Sequence, residues 1–113
     1  MSNIKLSVVM GAYNQRDLLP LVLKGFEDQS FPMDQFEVIV VDSSSTDGTD
    51  SFFEAYTPAY LFTPIIKSNE GKASARNVGV LQSKGDIVVI TDSDMIPHPD
   101  FLKLHFEAHL KTQ

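Results

Sequence analysis

Phe36-Glu37-Val38-Ile39-Val40-Val41-Asp42 runs directly into Ser43-Ser44-Ser45-Thr46-Asp47-Gly48-Thr49. A short, mostly β-branched apolar run of this kind reads as a strand buried on both faces, which is the habit of parallel sheets covered by helices. It stops at Asp42, where small polar turn formers take over. The same switch recurs on either side. Lys5–Met10 reads as a strand that ends in a Gly11-Ala12-Tyr13-Asn14 turn, and Asp86–Thr91 as a further buried strand ending in Asp92-Ser93-Asp94. Between the strands the apolar spacing becomes helical. Asp17 can cap a helix with Leu18, Leu19, Leu21, Val22 and Phe26 on its apolar face and Pro20 in its first turn, ending near Gln29. A short helix is expected over Thr49–Tyr56, a longer one over Lys72–Ser83, and a final one over Asp100–Lys111. Ala59–Lys67 is an edge strand or bulge, because Pro64 lacks the N–H that a central strand would use.

Alternating strands and helices imply an α/β fold of three layers, αβα, around a mostly parallel, Rossmann-like sheet of about four strands. In such sheets ligands bind outside the carboxyl ends of the strands. Tyr13 and Asn14 follow the first strand, Asp42 the second, and Asp92 and Asp94 the last. These polar residues therefore converge on one edge, and this convergence points to a site more strongly than any single motif.

The 113 residues make one domain, 1–113, with 42% apolar and 21% charged residues. That composition is too hydrophobic for disorder. Fifteen acids against nine bases give a net charge of -6 with no run of cations, so nucleic acid is not an expected partner. The absence of Cys removes disulfides, thiolate zinc sites and a Cys nucleophile. The first apolar run is interrupted by Asn14 and Gln15, too early for a signal peptide, and no stretch approaches the ~20 apolar residues of a membrane span. A cytoplasmic location is the default.

Asp92 and Asp94 place two carboxylates on one side of an extended turn, where they repel unless a cation lies between them. Hard oxygen ligands suit Mg²⁺ or Mn²⁺ bridging to substrate phosphates, although a solvated turn explains the pair equally well when it is read alone. Asp42, at a strand tip, can accept a hydrogen bond from a nucleobase imide or a ribose hydroxyl. Asp47, Gly48 and Thr49 read instead as turn and cap residues. Lys72 and Arg76 lie four apart on a helix whose N-terminus faces the same edge, an anion-attracting arrangement that is also compatible with a solvated face. His98 offers a further ligand, whereas His105 and His109 read as one helix face, without the order of a zinc motif.

Taken together, four blocks resemble the donor-binding portion of family 2 glycosyltransferases with the GT-A fold. They are Ser7–Asn14, Glu37–Thr49, Gly71-Lys72-Ala73-Ser74-Ala75-Arg76-Asn77-x-Gly79, and Gly85-Asp86 leading to Asp92-Ser93-Asp94. The resemblance implies a nucleotide-sugar donor, most often a UDP-sugar, with Mn²⁺ or Mg²⁺ bridging its diphosphate. It places Ala12 and Tyr13 at the base, Asp42 in a hydrogen bond to it, and Lys72 and Arg76 near base or phosphate. Asp92 faces the ribose and sugar, and Asp94 ligates the metal together with Asp92. Two positions depart from the pattern. Gly11 stands where Pro is usual, and Ser43-Ser44 where an acid or amide followed by Gly is usual, which puts a left-handed backbone in that loop in question.

The resemblance also implies that the acceptor pocket, the base carboxylate and a third metal ligand lie in further strands, so that 1–113 is a truncated glycosyltransferase domain. Its sheet edge is then open to self-association. Two alternatives stand beside this reading. One is a non-catalytic nucleotide-binding or assembly module. The other is a fragment of a haloacid-dehalogenase-like phosphatase, whose Asp-x-Asp normally follows the first strand.

Overall fold

The computed structural model describes residues 4–111. Four strands, β1 (Leu6–Ala12), β2 (Phe36–Asp42), β3 (Leu61–Ile66) and β4 (Ile87–Ile90), form one sheet in the order β3-β2-β1-β4, and every pair is parallel. Helices α1 (Leu19–Glu27), α2 (Thr49–Ala55) and α3 (Lys72–Gln82) fill the crossovers, and α4 (Phe101–Lys111) follows β4. One 3₁₀ turn, Met33–Gln35, precedes β2.

The strand order determines which face each helix covers. From β1 to β2 to β3 the chain steps outward in one direction, and from β3 to β4 it returns past both inner strands. With crossovers of one hand, reversing the step moves the connecting helix to the opposite face. The packing follows this rule. Leu6, Val8 and Met10 of β1 and Phe36, Val38 and Val40 of β2 pack with α1, with Phe53 of α2 and with Leu102 of α4. The alternate residues Val9, Ile39 and Val41 pack against Ala75 of α3. Period-two alternation thus divides β1 and β2 between two apolar layers, as expected of strands buried on both faces.

Several boundaries differ from the sequence reading. Gly11 and Ala12 belong to β1, paired with Val41 and Asp42, rather than to the turn that follows it. Asp17 does not cap α1: the chain is already turning at Gln15, whose carbonyl accepts from the Leu19 N–H at 2.8 Å, and Leu18 occupies the cap without a side-chain bond. The helix ends at Glu27, two residues earlier than expected. β3 is an edge strand, and Pro64 sits opposite Val40 with no second neighbour to need its N–H. β4 forms the other edge instead of being fully buried, because α3 lies over β1 and β2 and leaves Ile90 50% exposed beyond it.

Two buried polar groups secure the frame. Glu37, 1% exposed, accepts from the Ser7 hydroxyl at 2.5 Å and from the Lys84 N–H at 2.6 Å, while Ser7 Oγ accepts from the Gly85 N–H at 2.7 Å. The α3–β4 connection is therefore fastened to the amino end of the sheet. Gln29 donates to the carbonyls of Gly25 and His98 and accepts from the Leu102 N–H, which fastens the segment after β4 to the end of α1.

Candidate functional site

At the carboxyl edge of the sheet, the change of direction between β1 and β4 opens a crevice, the usual location of a ligand in an open α/β sheet. A cavity of about 330 Å³ fills it. Its walls are the end of β1 (Gly11, Ala12, Tyr13), the start of α3 (Lys72, Ala75, Arg76) and the turn after β4 (Asp92, Ser93, Asp94), with Ser43 and Asn69 completing the rim.

Small residues let these walls meet. A Cβ at Gly79 would lie 2.4 Å from Val9 Cγ1, so α3 descends this close onto β1 because Gly79 lacks one, and a Cβ at Gly11 would lie a tight 3.3 Å from the Ala75 Cβ. A Cβ at Gly25 would come within 2.7 Å of Pro97, and this contact lays the segment that carries Asp92 and Asp94 across α1. Gly71 starts α3 at φ 97° with no side-chain cap. The first-turn N–H groups of an eleven-residue helix thus remain without a side-chain partner beside the cavity, at the positive end of its dipole.

Within the cavity the charges are only partly committed. Arg76 Nη2 contacts Asp92 Oδ1 at 3.2 Å, with the two side chains 39% and 54% exposed, a solvated pair worth ~1 kcal/mol or less. The side chains of Lys72 and Asp94 are exposed and make no hydrogen bond or ion pair among the described residues. Tyr13, 49% exposed, presents its ring with no aromatic or hydrogen-bonding partner among the described residues. An uncapped helix start, a free ammonium and a guanidinium suit an anion, and the free carboxylate of Asp94 suits a cation bound with it. Among the described residues no cluster of three or more His, Cys, Asp or Glu side chains is placed to hold a metal, so a cation here would draw most of its ligands from water and substrate oxygens. Mg²⁺ and Mn²⁺ are suited to such a ligand set.

Of the residues expected at the site, Ala12, Tyr13, Lys72, Arg76, Asp92 and Asp94 line the cavity. Asp42 does not. It is 1% exposed, with Oδ1 accepting from the Ser45 hydroxyl at 2.5 Å and Oδ2 from the Ser45 N–H at 2.8 Å. A base can reach this carboxylate only if the loop opens. Asp47 acts as a turn former: its Oδ1 accepts from the Thr49 hydroxyl and N–H and its Oδ2 from the Arg16 N–H. The Thr49 hydroxyl, helped by the backbone N–H groups, holds the Asp47 carboxyl below the usual carboxylate range. The left-handed backbone questioned at Ser43-Ser44 is retained at Ser44, φ 58°, where Ser44 Oγ donates to the Lys67 carbonyl at 2.7 Å. His98 Nδ1 accepts from the Asp100 N–H, and the His105 ring packs edge-on against Phe101.

The geometry defines an α/β domain with a crevice at its topological switch point, lined by Lys72, Arg76, Asp92 and Asp94. The chain belongs to glycosyl transferase family 2, whose model matches residues 7–113. It is 38% identical over 107 residues to YfnE, an uncharacterized glycosyltransferase of Bacillus subtilis (strain 168), and the match covers 94% of this chain and 27% of YfnE. The fold matches the crystal structure of S. aureus TarS 1-349 in complex with UDP-GlcNAc with a TM-score of 0.86 and 31% identity, over 96% of this chain and 32% of that one. It also matches the mannosyltransferase PcManGT from Pyrobaculum calidifontis in complex with GDP-Man and Mn²⁺, with a TM-score of 0.81 and 37% identity, over 87% of this chain and 30% of that one. The chain spans about a third or less of the length of these proteins. Family membership sets aside the phosphatase alternative.

Proposed function

We propose that the crevice binds a nucleotide-diphosphate sugar, a UDP-sugar by preference, as the donor for transfer of the sugar to an acceptor hydroxyl. The observation that carries this reading is the meeting, on one cavity, of the uncapped α3 N-terminus with uncommitted Lys72 and uncommitted Asp94. The likeness to structures holding UDP-GlcNAc and GDP-Man supports it. In this reading Tyr13 and Ala12 form the base platform, Lys72 and the first turn of α3 take the phosphates, and Arg76 bridges phosphate and Asp92. Asp94, with Asp92, holds Mn²⁺ or Mg²⁺, which supplies charge neutralisation on the departing nucleoside diphosphate. No residue of 1–113 is assigned as the general base that deprotonates the acceptor. No helix among the described residues is long and apolar enough to cross a membrane, and a cytoplasmic location is part of the proposal.

Calorimetric titration with UDP in the presence of Mn²⁺, set beside GDP, CDP and uridine, tests the reading. Saturable binding of UDP, weaker binding of the other diphosphates and little binding of uridine is expected. Failure of every nucleoside diphosphate to bind would remove the donor-site assignment.

A further inference from the structure

The Tyr13 ring forms a wall of the cavity and makes no hydrogen bond or aromatic contact among the described residues. The backbone on either side of it is secured by the neighbouring loop after β2. The Ser43 N–H donates to the Ala12 carbonyl at 2.9 Å, immediately before Tyr13. Immediately after it, the Asn14 N–H donates to Ser45 Oγ at 2.8 Å, and Asn14 Oδ1 accepts from the Thr46 N–H at 2.9 Å. Two residues further on, the Arg16 N–H donates to Asp47 Oδ2 at 2.9 Å, and its guanidinium lies 4.9 Å from the centroid of the Phe52 ring. Asn14 sits in the left-handed region at φ 52°, which is uncommon for a residue with a Cβ and which Asn adopts more readily than most.

Ser45 is the centre of this clasp. Its hydroxyl hydrogen is committed to Asp42 Oδ1, so its lone pairs face the Asn14 N–H. We infer that Asp42 and Ser45 are positioning residues: the buried carboxylate orients the Ser45 hydroxyl, which holds the Asn14 N–H and so presents Tyr13 to the ligand. The inference rests on the proposed nucleotide site and assigns Asp42 a role that acts through Ser45 and Tyr13, without contact with the base. It also accounts for a carboxylate at a strand tip beside the cavity that is 1% exposed. A platform fixed by its backbone loses little freedom when a ring stacks on it, whereas one that samples other poses weakens binding by the fraction of time it is misplaced.

Two readouts on the full chain test this. In the first, the three tyrosines are replaced by 3-fluorotyrosine and followed by ¹⁹F NMR without ligand. Ser45→Ala is expected to move and broaden the Tyr13 resonance while leaving those of Tyr56 and Tyr60 in place, and Ser45→Thr, which keeps the hydroxyl, is expected to restore it. Movement of all three resonances together, or of none, would overturn the inference. In the second, UDP affinity is measured through a double-mutant cycle of Ser45→Ala and Tyr13→Ala. Loss of one such hydrogen bond is expected to weaken binding about fivefold in the parent, and less than about twofold once Tyr13 is gone. Equal losses in both backgrounds would overturn it. Ser45→Cys, which keeps the side-chain volume and replaces the hydroxyl by a poor acceptor for the Asn14 N–H, serves the same cycle should Ser45→Ala fail to fold. A parent that binds no nucleotide while the Tyr13 resonance still responds to Ser45→Ala would refute the nucleotide reading and leave the clasp standing.

Discussion

Gly79→Ala adds a single methyl group at the place where α3 rests on the sheet. Its Cβ would lie 2.4 Å from Val9 Cγ1 and 3.4 Å from Val41 Cγ2. Carbon atoms prefer about 3.5–4.0 Å, so the first contact overlaps by about an ångström or more. Val9 cannot yield easily: it is fully buried, β-branched and stiff at χ1, and its strand is bonded on both sides. The helix must retreat, and overpacking of this kind costs about 1–3 kcal/mol. Alanine recovers about 0.8–1 kcal/mol through its better helix propensity. The expected net loss is up to about 2 kcal/mol, read as a fall in Tm of up to roughly 10 °C for a domain of this size. Asn77→Ala, at an exposed position of the same helix, gains propensity without the clash and should hold or raise Tm. Because α3 carries Lys72 and Arg76, Gly79→Ala should also weaken UDP binding. A Gly79→Ala protein that melts higher than the parent and binds UDP equally well would refute the idea that this close approach sets the width of the crevice.

Other outcomes follow from particular contacts. Glu37→Ala leaves the Lys84 N–H and the Ser7 hydroxyl without their buried acceptor and should cost about 2–4 kcal/mol by urea denaturation. Glu37→Gln, which keeps an acceptor oxygen, should lose less, and equal losses would show that hydrogen bonding at Glu37 is not what matters. Lys72→Ala should weaken UDP binding about 3–10-fold while leaving uridine binding unchanged, as expected if the ammonium meets only the diphosphate. The lowered carboxyl of Asp47 stabilises the fold fully above its unfolded-state value of 3.8, and the contribution is lost as pH falls through the still lower folded value. In Asp47→Asn the decline of Tm between about pH 4 and pH 2 should be shallower than in the parent.

Much of the fold could be read from local pattern. The short apolar runs that break at polar turns identified β1, β2 and β4, and Pro64 marked β3 as an edge strand or bulge. The rule for strand ends brought Tyr13, Asn14, Asp42, Asp92 and Asp94 to one edge, and the helix starting there added Lys72 and Arg76; of these, Asn14 and Asp42 do not line the cavity. Other features depended on contacts distant in sequence. Ile87-Val88-Val89-Ile90 is apolar throughout, so nothing within it shows that one face lies beyond the reach of α3. Asp42 has the sequence of a ligand-facing carboxylate, but its partner Ser45 is determined by how the loop folds back toward Asn14. The buried roles of Glu37 and Gln29 depend on Ser7, Lys84, His98 and Leu102, and no spacing rule joins those residues. The packing roles of Gly11 and Gly79 become visible only once α3 is known to descend onto β1.

The carboxylate left without a partner in the crevice is Asp94, and the donor-site proposal depends on it more than on any other side chain. Calorimetric titration of UDP with and without Mn²⁺, in the parent and in Asp94→Ala confirmed as folded by circular dichroism, addresses that dependence directly. Metal-dependent UDP binding in the parent that falls at least about tenfold in Asp94→Ala is the predicted result. UDP binding that is indifferent to Mn²⁺ and unchanged in Asp94→Ala would contradict it.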